Sequence, residues 1–256
     1  EVNDDMTIRT AYFDCFSGIS GNMILGALLD LGLPQAELEA ELARLPIQGF
    51  RLQVDPVTKQ GLGGTYVDVV MDGPQPERHL SDILTLLEGS TLSPRVKEHS
   101  RRIFVRLAEA EARVHRRPVE SVHFHEVGAV DAIVDVVGSA AGLEKLGVER
   151  VYCSPLNVGA GFVRAAHGVL PVPAPATAEL LKGVPIYSRH AERELVTPTG
   201  AAVVTALAAS FGEMPAMKLQ AVGYGAGKAD LQIPNLLRLS VGEVAESDGY
   251  GTDWVT

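Results

Sequence analysis

The stretch from Val122 to Gly138 limits the fold most. It sets two imidazoles and three carboxylates, His123, His125, Glu126, Asp131 and Asp135, within thirteen residues that are otherwise largely apolar. Apolar sequence of that density belongs in a core, and charged groups in a core need partners, so the fold must bring something to meet them. Val122 to Val127 alternates and predicts a short strand, with His123 and His125 on one face and Phe124 turned into packing. Gly128 ends that run. From Asp131 the spacing turns helical, placing Asp131 and Asp135 one above the other at i and i+4, with Gly138 and Gly142 farther along the same side. That side is acidic first and bare afterwards. Such a strand, turn and helix can gather the nitrogen and oxygen donors that suit nickel, zinc, iron or manganese. A plainer reading also stands: an Asp is favoured at a helix start for its own sake, and single strand histidines are usually structural.

Two small-residue turns offer anion sites. Thr10 to Phe16 predicts a strand, Ser17-Gly18-Ile19-Ser20-Gly21 a turn, and Asn22 to Leu31 a helix, leaving N–H groups for a phosphate or carboxylate, or simply making a tight turn. Asp14 ends the strand, where a carboxylate suits metal or base work. No Gly-Lys-Ser/Thr follows, so this is not a Walker loop, and it is no GxSxG elbow. Leu195-Val196-Thr197-Pro198-Thr199-Gly200-Ala201, beside Glu194, leads into a helix to Ala209 with Thr199 as its predicted cap. Gly223-Tyr224-Gly225-Ala226-Gly227-Lys228 follows a strand but precedes no helix, unlike a dinucleotide-binding turn.

Elsewhere the pattern predicts a helix over Gln35 to Leu45 with Glu37, Glu39 and Glu41 solvated. Strands over Phe50 to Val57 and Gly64 to Met71 are joined by Gly61-Leu62-Gly63-Gly64 as a hairpin or a glycine-rich flap, with Lys59 solvated beside it. Pro74 and Pro76 mark a junction near 72–78, after which His79 opens a helix capped by Ser81 or Asp82. The longest helix starts at Ser93-Pro94, with Glu98–Arg102 and Glu109–Arg113 as i,i+4 pairs and His99 and His115 on its solvated side. A strand over Val151 to Val158 bends at Pro155. Pro171, Pro173 and Pro175 predict a stiff path, neither helix nor sheet, which fixes where His167 points. Short helices, a strand over Val184 to Tyr187 and strands over Leu219 to Gly227 and Leu231 to Val241 complete the chain. The irregular mixture predicts an α+β fold, one compact unit over residues 10–245 whose loops converge on one cleft, with two lobes left open as a variant. Residues 1–9 read as linker and 246–256 as a polar tail, as in a piece of a longer chain.

A net charge of −10, from 22 Lys and Arg against 32 Asp and Glu, excludes a broad basic face for nucleic acid. Cys15 and Cys153 are the only cysteines, which predicts reduced thiols in a cytoplasmic protein. No run of eighteen apolar residues predicts a membrane span.

Taken together, Asp14 to Gly21, His123 to Asp131, His167-Gly168 with the Pro171, Pro173, Pro175 run, Thr197 to Ala201, and Gly223 to Gly227 with Pro234-Asn235 resemble the LarC family. The resemblance runs from about residue 10 to 242. It implies a cytoplasmic nickel-inserting cyclometallase of the lyase or chelatase kind. The reaction would place nickel in pyridinium-3,5-bisthiocarboxylic acid mononucleotide, with CTP consumed, to give the nickel-pincer nucleotide passed to a racemase-type recipient. The implied roles are His123, His125, Glu126, Asp131 and His79 for metal, and His167, Glu126 and Asp14 for catalysis. Ser17, Gly18, Ser20, Gly21, Thr197, Thr199, Gly200 and Lys228 would hold the mononucleotide. CTP, with magnesium or manganese, is expected mainly on a further C-terminal domain, making this chain the N-terminal part, and the working unit is expected to be a homo-oligomer. Asn22 stands where the family motif usually has Asp, so it offers an amide rather than a metal carboxylate. Two rivals remain: a metal-dependent nucleotide hydrolase or nucleotidyl transferase, for which two histidines are soft ligands, and a noncatalytic nickel metallochaperone.

Overall fold

The computed structural model describes residues 7–73, 78–124, 129–165 and 168–245. β1 (Thr7–Asp14) leads into α1 (Gly21–Asp30) and α2 (Gln35–Leu42), then the hairpin of β2 (Phe50–Lys59) and β3 (Leu62–Met71). β4 (Arg78–His79), α3 (Leu80–Gly89), α4 (Pro94–His115), β5 (His123–Phe124), α5 (Val130–Lys145) and β6 (Arg150–Cys153) follow. The last third holds β7 (Leu156–Asn157), β8 (Phe162–Ala165), β9 (Gly168–Pro171), α6 (Pro175–Leu180), β10 (Ile186–Tyr187), α7 (Pro198–Leu207), β11 (Ser210–Phe211), β12 (Lys218–Ala226) and β13 (Leu236–Ala245).

Seven strands from distant parts of the chain form one sheet, ordered β11-β6-β1-β13-β12-β3-β2. It is mixed: β1 runs parallel to β6 and antiparallel to β13, and β12 is parallel to β3. With seven helices among the described residues, this is the α+β class that the irregular pattern predicts.

α1 lies directly across β12 and β3 because glycines clear its path. A Cβ on Gly225 would stand 1.7 Å from Met23 O, one on Gly223 2.4 Å from Ala27 O, and one on Gly26 2.2 Å from Thr65 O. The Gly223 and Gly225 repeat is therefore a helix bed rather than a phosphate turn. α5 packs against the other side of α1 in the same manner: Cβ atoms on Gly138 and Gly142 would meet Leu25 and Leu28 at 2.7 and 2.6 Å. The bare face foreseen on α5 is thus its seam with α1, which fixes Asp131 and Asp135, on the same side, near the start of α1.

Several local expectations change. Of the two forms expected between β2 and β3 the hairpin is found, closed by a two-residue turn at Gln60-Gly61, both at positive φ, with Lys59 paired to Leu62. Lys59 is not solvated: its ammonium donates to Asp230 Oδ1 (2.7 Å) and to the carbonyls of Lys228 and Ala229. Glu41 is only 6% exposed and pairs with Lys145 and Arg44, because α2 turns that residue toward α5. His79 itself caps α3, and Asp82 reaches back to its N–H at 2.8 Å. On α4, Glu98 pairs with Arg101, while Arg102 donates to the Ala206 carbonyl and Arg113 meets Glu179. Helix packing redirects those arginines, and it half-buries His99, which is held below the usual histidine value by burial and then by Arg95 and Arg102. Part of the proline-rich path is regular after all: Gly168–Pro171 pairs with β8, and Pro175 starts α6 at a position where its missing N–H costs nothing. Thr7 to Arg9, expected to be linker, instead begin β1 by pairing with β13; Pro74, Pro76, residues 1–6 and residues 246–256 lie outside the described residues.

Candidate functional site

The two small-residue turns meet. Gly18, at φ 83°, lets the first turn double back, and a Cβ there would strike Leu195 O at 2.0 Å. Ile19 and Val196 then form a parallel bridge, with Ile19 N–H donating to Leu195 O (2.9 Å) and Thr197 N–H donating to Ile19 O (3.1 Å). Gly200 closes the joint, since its Cβ would lie 2.4 Å from Ile19 O. Thr197, not Thr199, caps α7, its Oγ1 accepting from Gly200 N–H at 3.2 Å. Pro198 occupies the first helical position and leaves Thr197 as the last residue in extended conformation.

The joined turns form one wall of a cleft of about 340 Å³. Its lining includes Ser20 before α1, Asn22 and Met23 within it, Asp131 and Asp135 from α5, Tyr66, Asp68 and Val69 from β3, and Arg193 to Leu195 with Thr197. Gly227, Lys228, Ala229 and Asn235 complete it, the loop being held in place by Lys59. Ser20 Oγ donates to Asn22 Oδ1 (2.6 Å), and Asn22 Nδ2 to Val67 O (3.4 Å), which ties the start of α1 to β3. Helix starts, hydroxyls, Lys228 and Arg193 suit an anion such as a phosphate.

The opposite character is on α5. Asp131 is exposed, with Oδ1 accepting from Ala132 N–H at 2.9 Å. Asp135 lies against Gly21, where a Cβ would be 2.3 Å from its Oδ2. Its Oδ1 is shut off from solvent and has no hydrogen-bond partner. Burial first, then Asp131 and Asp68, push the Asp135 carboxyl well above the usual aspartate range.

Of the residues singled out from sequence, Ser20, Asp131, Thr197 and Lys228 line this cleft. Gly18, Gly21 and Gly200 shape it through the close approaches above. Ser17 is fully buried beneath it, and Thr199 sits in the first turn of α7, outside the lining. Asp14 is elsewhere: it faces Arg238 across β1 and β13, whose guanidinium donates through Nε (3.0 Å) and Nη2. His79 is also outside the lining, its ring Nδ1 3.2 Å from Val122 O. The His123 backbone pairs with His79 between β5 and β4. The side chain of His123, and all of His125, Glu126 and His167, lie outside the described residues. Among the described residues, no three His, Cys, Asp or Glu side chains are grouped closely enough to hold a metal ion. Sequence reasoning pairs Asp135 with Asp131 by spacing yet leaves it out of the site; Asp68, Tyr66 and Arg193 carry no local signal.

A model of the nickel insertion protein family matches residues 11–255. A Desulfitobacterium hafniense protein named pyridinium-3,5-bisthiocarboxylic acid mononucleotide nickel insertion protein is 56% identical over 241 residues, covering 94% of this chain and 60% of that relative. Putative nickel insertion proteins of Gloeobacter violaceus and Dictyoglomus thermophilum are 54% and 48% identical, over 93% and 94% of this chain and 58% and 62% of theirs. No solved structure matches. The family match runs through nearly all of the chain and lends no support to reading it as an N-terminal part, although the chain spans about 60% of the D. hafniense relative's length. No helix among the described residues is long and apolar enough to cross a membrane. With its motifs, its two joined turns and these relatives in agreement, the chain belongs to the nickel insertion protein family.

Proposed function

We propose that this chain carries out nickel insertion into pyridinium-3,5-bisthiocarboxylic acid mononucleotide, a CTP-dependent cyclometallation that yields the nickel-pincer nucleotide for a racemase-type enzyme. The observation that carries the reading is the cleft itself. Anion-binding turns at Ser20 and Thr197, with Lys228, share one space of about 340 Å³ with the acidic side of α5. Mononucleotide phosphate and a divalent ion call for those two characters side by side. Ser20, Thr197 and Lys228 hold the phosphate, with Ser17, Gly18, Gly21, Thr199 and Gly200 forming the turns around it. His123, His125, Glu126 and Asp131 handle nickel as a substrate, and His167 or Glu126 takes the proton that leaves the ring carbon when the metal bonds there. CTP enters as its magnesium or manganese complex.

The test is incubation of the full-length protein with nickel(II), magnesium CTP and the mononucleotide, followed by mass spectrometry of the small molecules. A nickel-bearing product is expected; its absence overturns the reading. One observation favours a rival: among the described residues the cleft lining holds Asp68, Asp131, Asp135 and Glu194 but no His or Cys, a donor set that suits magnesium or manganese phosphoryl transfer. CTP consumption in the same assay without nickel or mononucleotide would select that alternative.

A further inference from the structure

The insertion reading leaves unassigned the place where the ion rests before it reaches the ring. We propose that Asp135, with Asp131 one turn before it on α5, forms a cation seat of few protein ligands through which nickel enters; the inference rests on that reading. Asp135 Oδ1 is removed from water and meets no donor, an arrangement that is costly unless something else completes it. Its acidic neighbours in the cleft, Asp131 and Asp68, have the wrong sign to do so. A bound cation would complete that oxygen.

Packing, not hydrogen bonding, holds the carboxylate there. Gly21 opens α1 without a side chain, and a Cβ at that position would lie 2.3 Å from Oδ2 and 2.5 Å from both Cβ and Cγ of Asp135. The seam of Gly138 and Gly142 against Leu25 and Leu28 keeps α5 at that distance. A ligand atom so placed has lost its freedom before the ion arrives. Asp131 contributes differently: it is exposed, and among the described residues its recorded hydrogen bond is at Oδ1, with Oδ2 offered to a shared ion.

A site built on aspartate oxygens is a weak one for nickel, and weakness is what delivery requires. Water fills the remaining positions and is displaced as substrate arrives. Thiocarboxylate sulfur is softer than aspartate oxygen and draws a borderline ion such as nickel(II) away from α5. The direction of transfer follows from ligand softness alone.

The test is equilibrium dialysis of nickel(II) chloride against the full-length protein and its Asp135→Asn, Asp131→Asn and Glu109→Gln variants, Glu109 being exposed on α4. Asp135→Asn and Asp131→Asn should each lose one bound nickel per chain or weaken it at least tenfold. Glu109→Gln should stay within twofold. Asp135→Asn should also unfold at the same or higher urea concentration, because it replaces a carboxyl that has no donor at its buried Oδ1. Unchanged nickel stoichiometry and affinity in both aspartate variants overturns the seat. Should Asp135→Asn misfold by circular dichroism, the exposed Asp131 variant decides. Nickel binding that depends on Asp135 in a protein yielding no nickel product keeps the seat and removes the insertion reading. Product formation with undiminished nickel binding by Asp135→Asn does the reverse.

Discussion

Replacing Gly21 with alanine probes the packing that sets the cleft floor. The added methyl would sit 2.3 Å from Asp135 Oδ2 and 2.5 Å from its Cβ and Cγ. Rotating the carboxylate cannot relieve this, because Asp135 Cβ is the fixed root of that side chain. Overpacking of this sort costs about 1–3 kcal/mol, while alanine in a helix gains up to about 1 kcal/mol over glycine. The net expectation is a loss of about 1–2 kcal/mol, or about 2–8 °C in Tm at roughly 2–4 °C per kcal/mol for a chain of this size. Asp135→Ala removes the Cγ and both oxygens, and with them a buried carboxylate that lacks a donor. It should be neutral or stabilising, and Gly21→Ala in that background should cost about 1 kcal/mol less than in the parent. Urea unfolding of the four proteins, with unchanged m-values, measures the coupling. Additivity within about 0.5 kcal/mol, or a Gly21→Ala protein more stable than the parent, would refute the geometry.

Three further outcomes follow from the same structure. Burial raises the Glu41 carboxyl, but Lys145 and Arg44 outweigh it and hold it below the ordinary glutamate value. Its stabilisation is therefore complete above the unfolded pKa of about 4.3 and lost as pH falls through the folded value. The stability gap between parent and Glu41→Gln should hold from pH 7 to about 5 and shrink below that, and a pH-independent gap in urea titrations contradicts the pairing. Thr197→Ala should cost about 1 kcal/mol as a lost helix cap, whereas Thr199→Ala should stay within about 0.5 kcal/mol; thermal melts that reverse the order would return the cap to Thr199. Gly225→Ala, whose methyl would meet Met23 O at 1.7 Å, should cost about 3 kcal/mol or more. Gly63→Ala, with nothing within 4 Å, serves as its neutral control in the same melts.

What can be read from the sequence is whatever is local. Turn, helix and strand signals place α1, α5 and both small-residue turns to within a few residues, and the i,i+4 pairing of Asp131 with Asp135 follows from their spacing alone. The misreadings share one cause: a partner far along the chain. Glu41 reads as solvated because Lys145 lies about a hundred residues away, and Lys59 reads as a loop lysine because its acceptors sit at residues 228–230. Arg102 leaves its helical neighbour for the end of α7. Asp68 joins the site only because β3 runs beside β12, a pairing between segments some 160 residues apart.

Asn22 joins the sequence argument to the cleft. Its amide accepts from Ser20 Oγ at 2.6 Å and donates to Val67 O at 3.4 Å, using both ends of the side chain. An aspartate at this place could keep only the accepting half. Asn22→Asp should therefore lose a weak hydrogen bond, up to about 0.5–1.5 kcal/mol, and add an acid to a cleft that already holds Asp68, Asp131 and Asp135. Repulsion deepens the loss of stability without metal, yet the same charge strengthens attraction for a divalent ion. Stability and nickel affinity should thus move in opposite directions, measured by urea unfolding without nickel and by dialysis with it. Two effects of the same sign, or none, would mean that the carboxylates around Asp135 do not act together on a bound ion.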